Sequence, residues 1–451
     1  MSDRTYPAAI MLATSMAAAI PHQALAASPS PDDQPDIAAP SDAPPEPLPL
    51  GWLSDPNEPP DDLWEALFSG KIHLDNNFRV EFADTTGRNS STAVTNRLRL
   101  GYETKPLHGV SGYVEMESVV SPNRDNYWVP ATADGTPDRT VIADPTGTEL
   151  NQAWGRFRTD SLGESDISLD LKGGRQRIKL DDDRFIGNVG WRQFEQTFDS
   201  VSVRSNLGID SLSAFYAYVW GVQRIFGPDG PNPDSDSHLI NVSLRVADEV
   251  KVTAFGYLLD FRDDDPLNSS NSFGVRLAGR VGGAEGTEDT GFSADYDITY
   301  ARQTDAGANP TDYAADFFAA RIGLAKKDLG QLFAGYQFLG SDDGAFAFRF
   351  PLGTNHAYQG FADNFLVTPA VGLQDLYAGV KIQLPWEIEG GVIYHEFWSD
   401  VGNAHLGREI DLVAARQLTP NLALLVKAAL FDGDSSQPDT NRFWVQTTMS
   451  F

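Results

Sequence analysis

The densest basic run in the chain is GGRQRIKLDDDRFIGNVGWRQFEQTFD, from Gly173 to Asp199. There Arg175, Arg177, Lys179, Arg184 and Arg192 stand beside Trp191 and the triplet Asp181 to Asp183. Guanidinium groups bind carboxylates through paired hydrogen bonds and stay charged at any working pH, so a ladder of them suits the passage of a polyanion. The same residues admit a local role, in which Arg184 and Arg192 pair with Asp181 to Asp183 and fasten a loop. That triplet, Asp263 to Asp265, and Asp234 with Asp236 offer hard oxygen donors, but none has the Gly and terminal Glu of an EF-hand loop. They read as solvated loop acid, with divalent bridging to lipopolysaccharide as the functional option, and no metal site or cofactor is assigned. The seven histidines (His22, His73, His108, His238, His356, His395 and His405) form no H-E-x-x-H, and neither G-x-S-x-G nor a glycine-rich phosphate loop occurs. His395, in IYHEFWSD, shares a strand face with Ile393 and Phe397. No catalytic residue is assigned, and the chain is not expected to be an enzyme.

The elements that would position these charges alternate with period two. KIHLDNNFRVEF sets Ile72, Leu74, Phe78, Val80 and Phe82 against His73, Asp75, Asn77, Arg79 and Glu81. NRLRLGY and GVSGYVEME repeat the pattern, as do LINVSLRV, FGVRLAG, FSADYDITYA, FFAARIGL, LFAGYQFLGS, LQDLYAGVKIQL, GREIDLVAA, LALLVKAALF and RFWVQTTMSF. With less regular segments at 150–158, 165–180, 195–205, 211–221, 248–261 and 386–398, the total is about 18 strands. Tight connections such as TKP and LTPN contrast with long acidic ones from Ser121 to Gly147, Phe226 to Asp236 and Gly340 to Thr368. Short turns on one side and long loops on the other suit an up-and-down barrel.

Ahead of this, residues 1–26 read as a signal peptide, with Arg4, the apolar run Ala8 to Ile20 and the small-x-small triplet Ala24 to Ala26. Residues 27–70 read as an acidic, Pro-rich linker ending in a short helical turn, and residues 71–451 as the barrel. A net charge of −29 excludes nucleic acid as a partner. With no cysteine there is no disulfide framework or thiolate chemistry.

A secreted β-sandwich or β-helix would also alternate. However, the second face here carries Arg79 with Glu81, Arg97 with Arg99, Glu115 with Glu117, Asp295 with Asp297, and Glu409 with Asp411, together with Tyr113, Tyr377, Gly335 and Gly379. That mixture fits a wet lumen better than a water-facing surface. Most segments are also long enough to cross a bilayer, for which about 9–11 tilted residues are needed. The expected fold is therefore all-β, a transmembrane antiparallel up-and-down β-barrel in a bacterial outer membrane, with lipid and lipopolysaccharide around it. Phe443, Val445, Met449 and Phe451 would face lipid, and the last strand would pair with KIHLDNNFRVEF; the terminal aromatic resembles the signal read by the barrel assembly machinery.

The run GRQRIKLDDDRFIGNVGWRQFEQTFD, with LGTNHAYQGFADNF (Leu352 to Phe365), IYHEFWSD and LGREIDL (Leu406 to Leu412), resembles the alginate-export family of outer-membrane channels. The resemblance implies an 18-stranded barrel with an arginine-rich constriction selecting anionic polysaccharide. The expected function is a channel for a hydrophilic, anionic saccharide, an alginate-like polyuronate or its oligomers. Arg79, Arg97, Arg99, Arg156, Arg158, Arg245, Arg276, Arg321 and Lys381 would line the lumen, with Glu409, Asp411, Asp295 and Asp297 balancing their charge. A general diffusion porin remains open as an alternative, as do a barrel enzyme and a soluble secreted carbohydrate-binding protein.

Overall fold

In the computed structural model, residues 59–282, 291–434 and 437–451 are described, so the expected signal peptide and most of the linker lie outside the described residues. A short helix, α1 (Leu63–Phe68), precedes the wall, N-capped by Asp62, whose side chain accepts from the Glu65 amide. The barrel strands are β1 (Lys71–Thr85), β2 (Ser91–Glu103), β3 (Val110–Val120), β4 (Gly147–Thr159), β5 (Leu169–Gln176) and β6 (Thr197–Ser205). Next come β7 (Leu212–Gln223), β8 (Asp234–Ala247), β9 (Val250–Leu259), β10 (Ser270–Gly282), β11 (Phe292–Asp305) and β12 (Ala314–Lys326). The last are β13 (Gly330–Leu339), β14 (Leu373–Leu384), β15 (Ile388–Trp398), β16 (His405–Thr419), β17 (Leu422–Gly433) and β18 (Thr440–Ser450). Each pairs antiparallel with its chain neighbour in one 18-stranded sheet. Pairing of β1 with β18, Asp75 opposite Ser450 through Thr85 opposite Thr440, closes the wall. Phe451 extends that seam, exchanging backbone hydrogen bonds with Leu74 at 2.8 and 3.0 Å. Closure leaves no open sheet edge, the condition for a sheet to cross hydrocarbon.

Alternation sorts the side chains as the sequence implies. On β2, Leu98 and Leu100 are 36% and 44% exposed on the outside, while Arg97 and Arg99 between them are 5% and 8% exposed inside. Exposed aromatics gather near both rims, Trp386 at one and Trp220 and Phe273 at the other, forming the girdles expected at membrane interfaces.

The short connections lie on the rim where both ends of the wall meet. The opposite rim carries the long loops 121–146, 177–196 and 340–372. Two of these turn into the barrel. Ile178, Leu180, Ile186 and Trp191 of one loop and Phe348, Phe350, Leu352, Phe361 and Phe365 of the other pack on inward wall residues such as Tyr257, Phe317, Phe397 and Trp444. The loop 121–146 forms a smaller core, setting Tyr127, Val129 and Ile142 on Ala83 and Ala93.

Here the structure departs from the strand expected over 165–180. The wall strand ends at Gln176, and the chain returns at Thr197. Ile178 and Leu180 alternate with Arg177 and Lys179 on the parity of the inward Gln176 and not of the lipid-facing Leu171, and their side chains enter the interior core. The two inward loops touch backbone to backbone. Gly187 N–H donates to the Leu352 carbonyl at 2.9 Å, and Thr354 N–H to the Asp183 carbonyl at 2.9 Å. Gly353 permits this approach, since a Cβ there would lie 2.1 Å from the Arg184 carbonyl oxygen.

Candidate functional site

The inward face of the wall carries the arginines singled out from the sequence, most of them already held by a carboxylate. Arg79, on β1, donates through Nη2 and Nε to Gln446 Oε1 at 2.7 and 3.0 Å and pairs with Asp144 at 3.3 Å. Its guanidinium also lies 4.2 Å from the Trp191 ring centre. Arg99 Nε donates to Glu117 at 2.5 Å and its Nη2 stands 3.6 Å from Glu195, while Arg97 bridges Asp75 and Glu117. Across the lumen, Arg276 meets Asp181, Asp182 and Asp297, and Arg321 pairs with Asp295. Lys381 has its ammonium 5.8 Å from the Phe333 ring centre.

Three of the expected residues sit apart, toward the short-turn rim. Arg156 holds Asp170 with a forked pair of hydrogen bonds, Nε at 2.7 Å. Arg158 is largely exposed, 3.7 Å from Asp160. Arg245 is exposed near the end of β8. Glu409 and Asp411 point inward but are fully buried beneath the loop 340–372, accepting from the Ala362 and Phe361 amides at 2.7 and 3.1 Å. Gly360, with φ +78°, lets that turn press onto the Glu409 carboxylate, 2.4 Å from where its Cβ would be.

The structure also gives the basic run its partners and adds Arg442 and His356, to which the sequence gave no individual role. Arg192 pairs with Glu81 on β1 and Asp363 in the loop 340–372; it does not pair with Asp181 to Asp183. Arg442, on β18, reaches the same Glu81 at 2.8 Å and also donates to the Ala362 and Val141 carbonyls, so one carboxylate gathers two guanidiniums and three loops. Arg177 and Arg99 converge on Glu195. Burial opposes the Glu195 carboxylate, but Arg177 and then Arg99 outweigh it and hold the group well below the usual carboxylate range. Arg184 donates to Asn355 and Gln359 and lies 3.8 Å over Phe350. Burial presses its pKa down to about 10, which leaves it cationic at neutral pH.

His356 stacks on Trp191, centroids 4.6 Å apart and 4° from parallel. Its Nδ1 meets Asp363 at 2.7 Å and its Nε2 meets Lys427 Nζ at 2.8 Å. Burial, aided by the Lys427 and Arg192 cations, lowers its pKa to about 3. The neutral ring donates from Nδ1 to the carboxylate and accepts at Nε2 from the ammonium.

Between the inward loops and the β9 to β14 wall lies a cavity of about 40 Å³, bordered by Arg184, Arg276, Arg321, Asp182, Tyr257 and Tyr358. A wider cleft of about 390 Å³ opens at the short-turn rim, bordered by Lys71, Lys105, Arg156, Arg158, Glu103 and Asp160. Among the described residues, no group of three or more acids and histidines could hold a metal ion. The interior is thus ion-paired and aromatic-buttressed, with two loops folded into it.

The architecture has counterparts among solved structures. OccAB2 of Acinetobacter baumannii aligns with a TM-score of 0.64 at 14% identity, over 86% of this chain and 99% of that one. OpdO of Pseudomonas aeruginosa aligns at 0.62 and 13% identity, over 86% and 98%, and OccD3 (OpdP) of the same organism at 0.60 and 14%, over 84% and 91%. At such identities the likeness is one of fold. No curated protein matches the sequence. The family model for alginate export matches residues 77–338, more than half the chain and spanning the basic run, the first inward loop and β1 to β13. With its closed wall and charged interior, the chain belongs to the alginate export family and is a channel of the bacterial outer membrane.

Proposed function

We propose that the channel passes hydrophilic saccharides bearing carboxylates, as short uronate oligomers. The observation that carries this reading is the inward placement of guanidinium groups on β1, β2, β10 and β12 of the wall and on the inward loop 177–196. Arg79, Arg97, Arg99, Arg276 and Arg321 each face the interior beside a carboxylate. A uronate can displace such a partner and accept the same forked hydrogen bonds, so it passes by exchange from one pair to the next. The narrowing by two loops favours oligomers over a thick polymer, and Lys71, Arg156 and Arg158 would gather anions at the wide cleft. A general porin is the second reading, favoured by the near balance of interior charge that those pairs produce.

Single-channel recording in planar bilayers separates the two. Oligouronates should block the wild-type channel at concentrations where neutral oligosaccharides of equal length do not, and Arg156→Ser should shift the reversal potential toward cations and weaken the block. Equal block by charged and neutral sugars would leave the general porin.

A further inference from the structure

We propose that α1 is a membrane anchor, its apolar side chains seated in the inner, periplasmic-facing leaflet beside the β1 and β2 edge. The helix has six residues, too few to persist alone in water. Four of them are large and apolar: Leu63, Trp64, Leu67 and Phe68 are 58%, 68%, 39% and 65% exposed. Trp64 and Phe68, four residues apart, stack at 5.7 Å and 11°. In water such a surface is costly, and none of the described residues covers it.

Its position supplies the partner. Tyr102 shares the outward face of Leu98 and Leu100, both of which meet lipid. The Tyr102 hydroxyl donates to the Leu67 carbonyl at 2.7 Å and accepts from the Gly70 amide at 2.9 Å, so α1 is tied to the lipid side of the wall. The Lys105 amide donates to the Ala66 carbonyl at 3.0 Å, and Lys105 Nζ lies 3.4 Å from Glu65. Gly70 brings the chain against the strand edge, where a Cβ would stand 2.0 Å from the Glu103 carbonyl oxygen. The apolar face of α1 therefore continues the lipid-facing wall at the level where aromatic side chains settle into the interface.

Charge defines the kind of adhesion. Asp61, Asp62 and Glu65 are the ionisable residues of the helix and its N-terminal flank, and no Lys or Arg occurs between Arg4 and Lys71. The neighbouring Lys105 ammonium is engaged by Glu65 at 3.4 Å, so the hold is chiefly apolar and not electrostatic.

Because the chain has no cysteine, a single Phe68→Cys substitution can carry an environment-sensitive fluorophore, with Val114→Cys on the wall as the lipid control and Asp248→Cys in a rim turn as the water control. In liposomes, the label at position 68 should shift to the blue and lose most of its emission to lipids brominated on their acyl chains, as at position 114. It should resist aqueous iodide and be indifferent to salt and to the fraction of anionic lipid. Quenching by iodide without quenching by bromolipid would overturn the anchor. Protection from both quenchers would also overturn it, by placing a second protein surface over the helix. Heat-modifiable gel mobility confirms that each labelled barrel is folded, and none of these readouts depends on the transported solute.

Discussion

His356 is a histidine that must stay uncharged. It lies between the Asp363 carboxylate and the Lys427 ammonium, against the Trp191 face. Its folded pKa of about 3 lies below the ordinary 6.5. Between those values the unfolded chain binds the extra proton and the folded one does not, so this residue's contribution to stability is full above 6.5 and is lost as the pH falls toward 3. The loss amounts to a few kcal/mol. The heat-modifiable transition of the purified barrel should therefore move to lower temperature on acidification across that window, and His356→Phe should flatten the dependence; an unchanged slope would contradict the assignment. The sequence offered little sign of this role. His356 and Asp363 are seven residues apart in an irregular loop, and Lys427 is a single cation in the apolar strand LALLVKAALF. Only the inward fold of the loop brings them together. Arg79, Arg97 and Arg99 were legible because strand period alone puts them on the inner face.

At the scale of elements, the two inward loops fill much of the space inside the wall. The loop 340–372 rests on Glu409 and Asp411, which take the Ala362 and Phe361 amides. Removing one acceptor strands a buried amide, at a cost of about 1–3 kcal/mol. Asp411→Ala should consequently loosen the loop and raise open-channel current noise with the wall strands intact, which far-ultraviolet circular dichroism would verify; an unaltered noise spectrum would mean that the loop is held elsewhere. The wall was readable because lipid on one side and a charged interior on the other impose period two on every strand. The loop 177–196 was harder to read, because Ile178 and Leu180 keep the same period while packing into an interior core. Their destination depends on Phe350 and Leu352, far along the chain, and no local pattern announces that pairing.

For the whole molecule, closure makes the seam between β1 and β18 as important as any internal pair. Phe451 adds two backbone hydrogen bonds to Leu74 at its end. Deleting Phe451 should lower the yield of heat-modifiable, closed barrel more than it lowers synthesis of the chain, as judged by gel mobility of membrane fractions. A normal yield would show that the seam zips without it. The strand count and the seam were both evident from alternation, since a closed sheet requires every strand to follow one rule. The narrow interior was not, because an inward loop obeys no such rule.

The bridge between Gly187 and Leu352, with Thr354 and Asp183 beside it, joins the two inward loops like the members of a lintel across a doorway. Neither member can swing alone without breaking a shared backbone joint. The clearance beneath them is thus a property of one jointed body, and a change in either loop is felt at both doorposts.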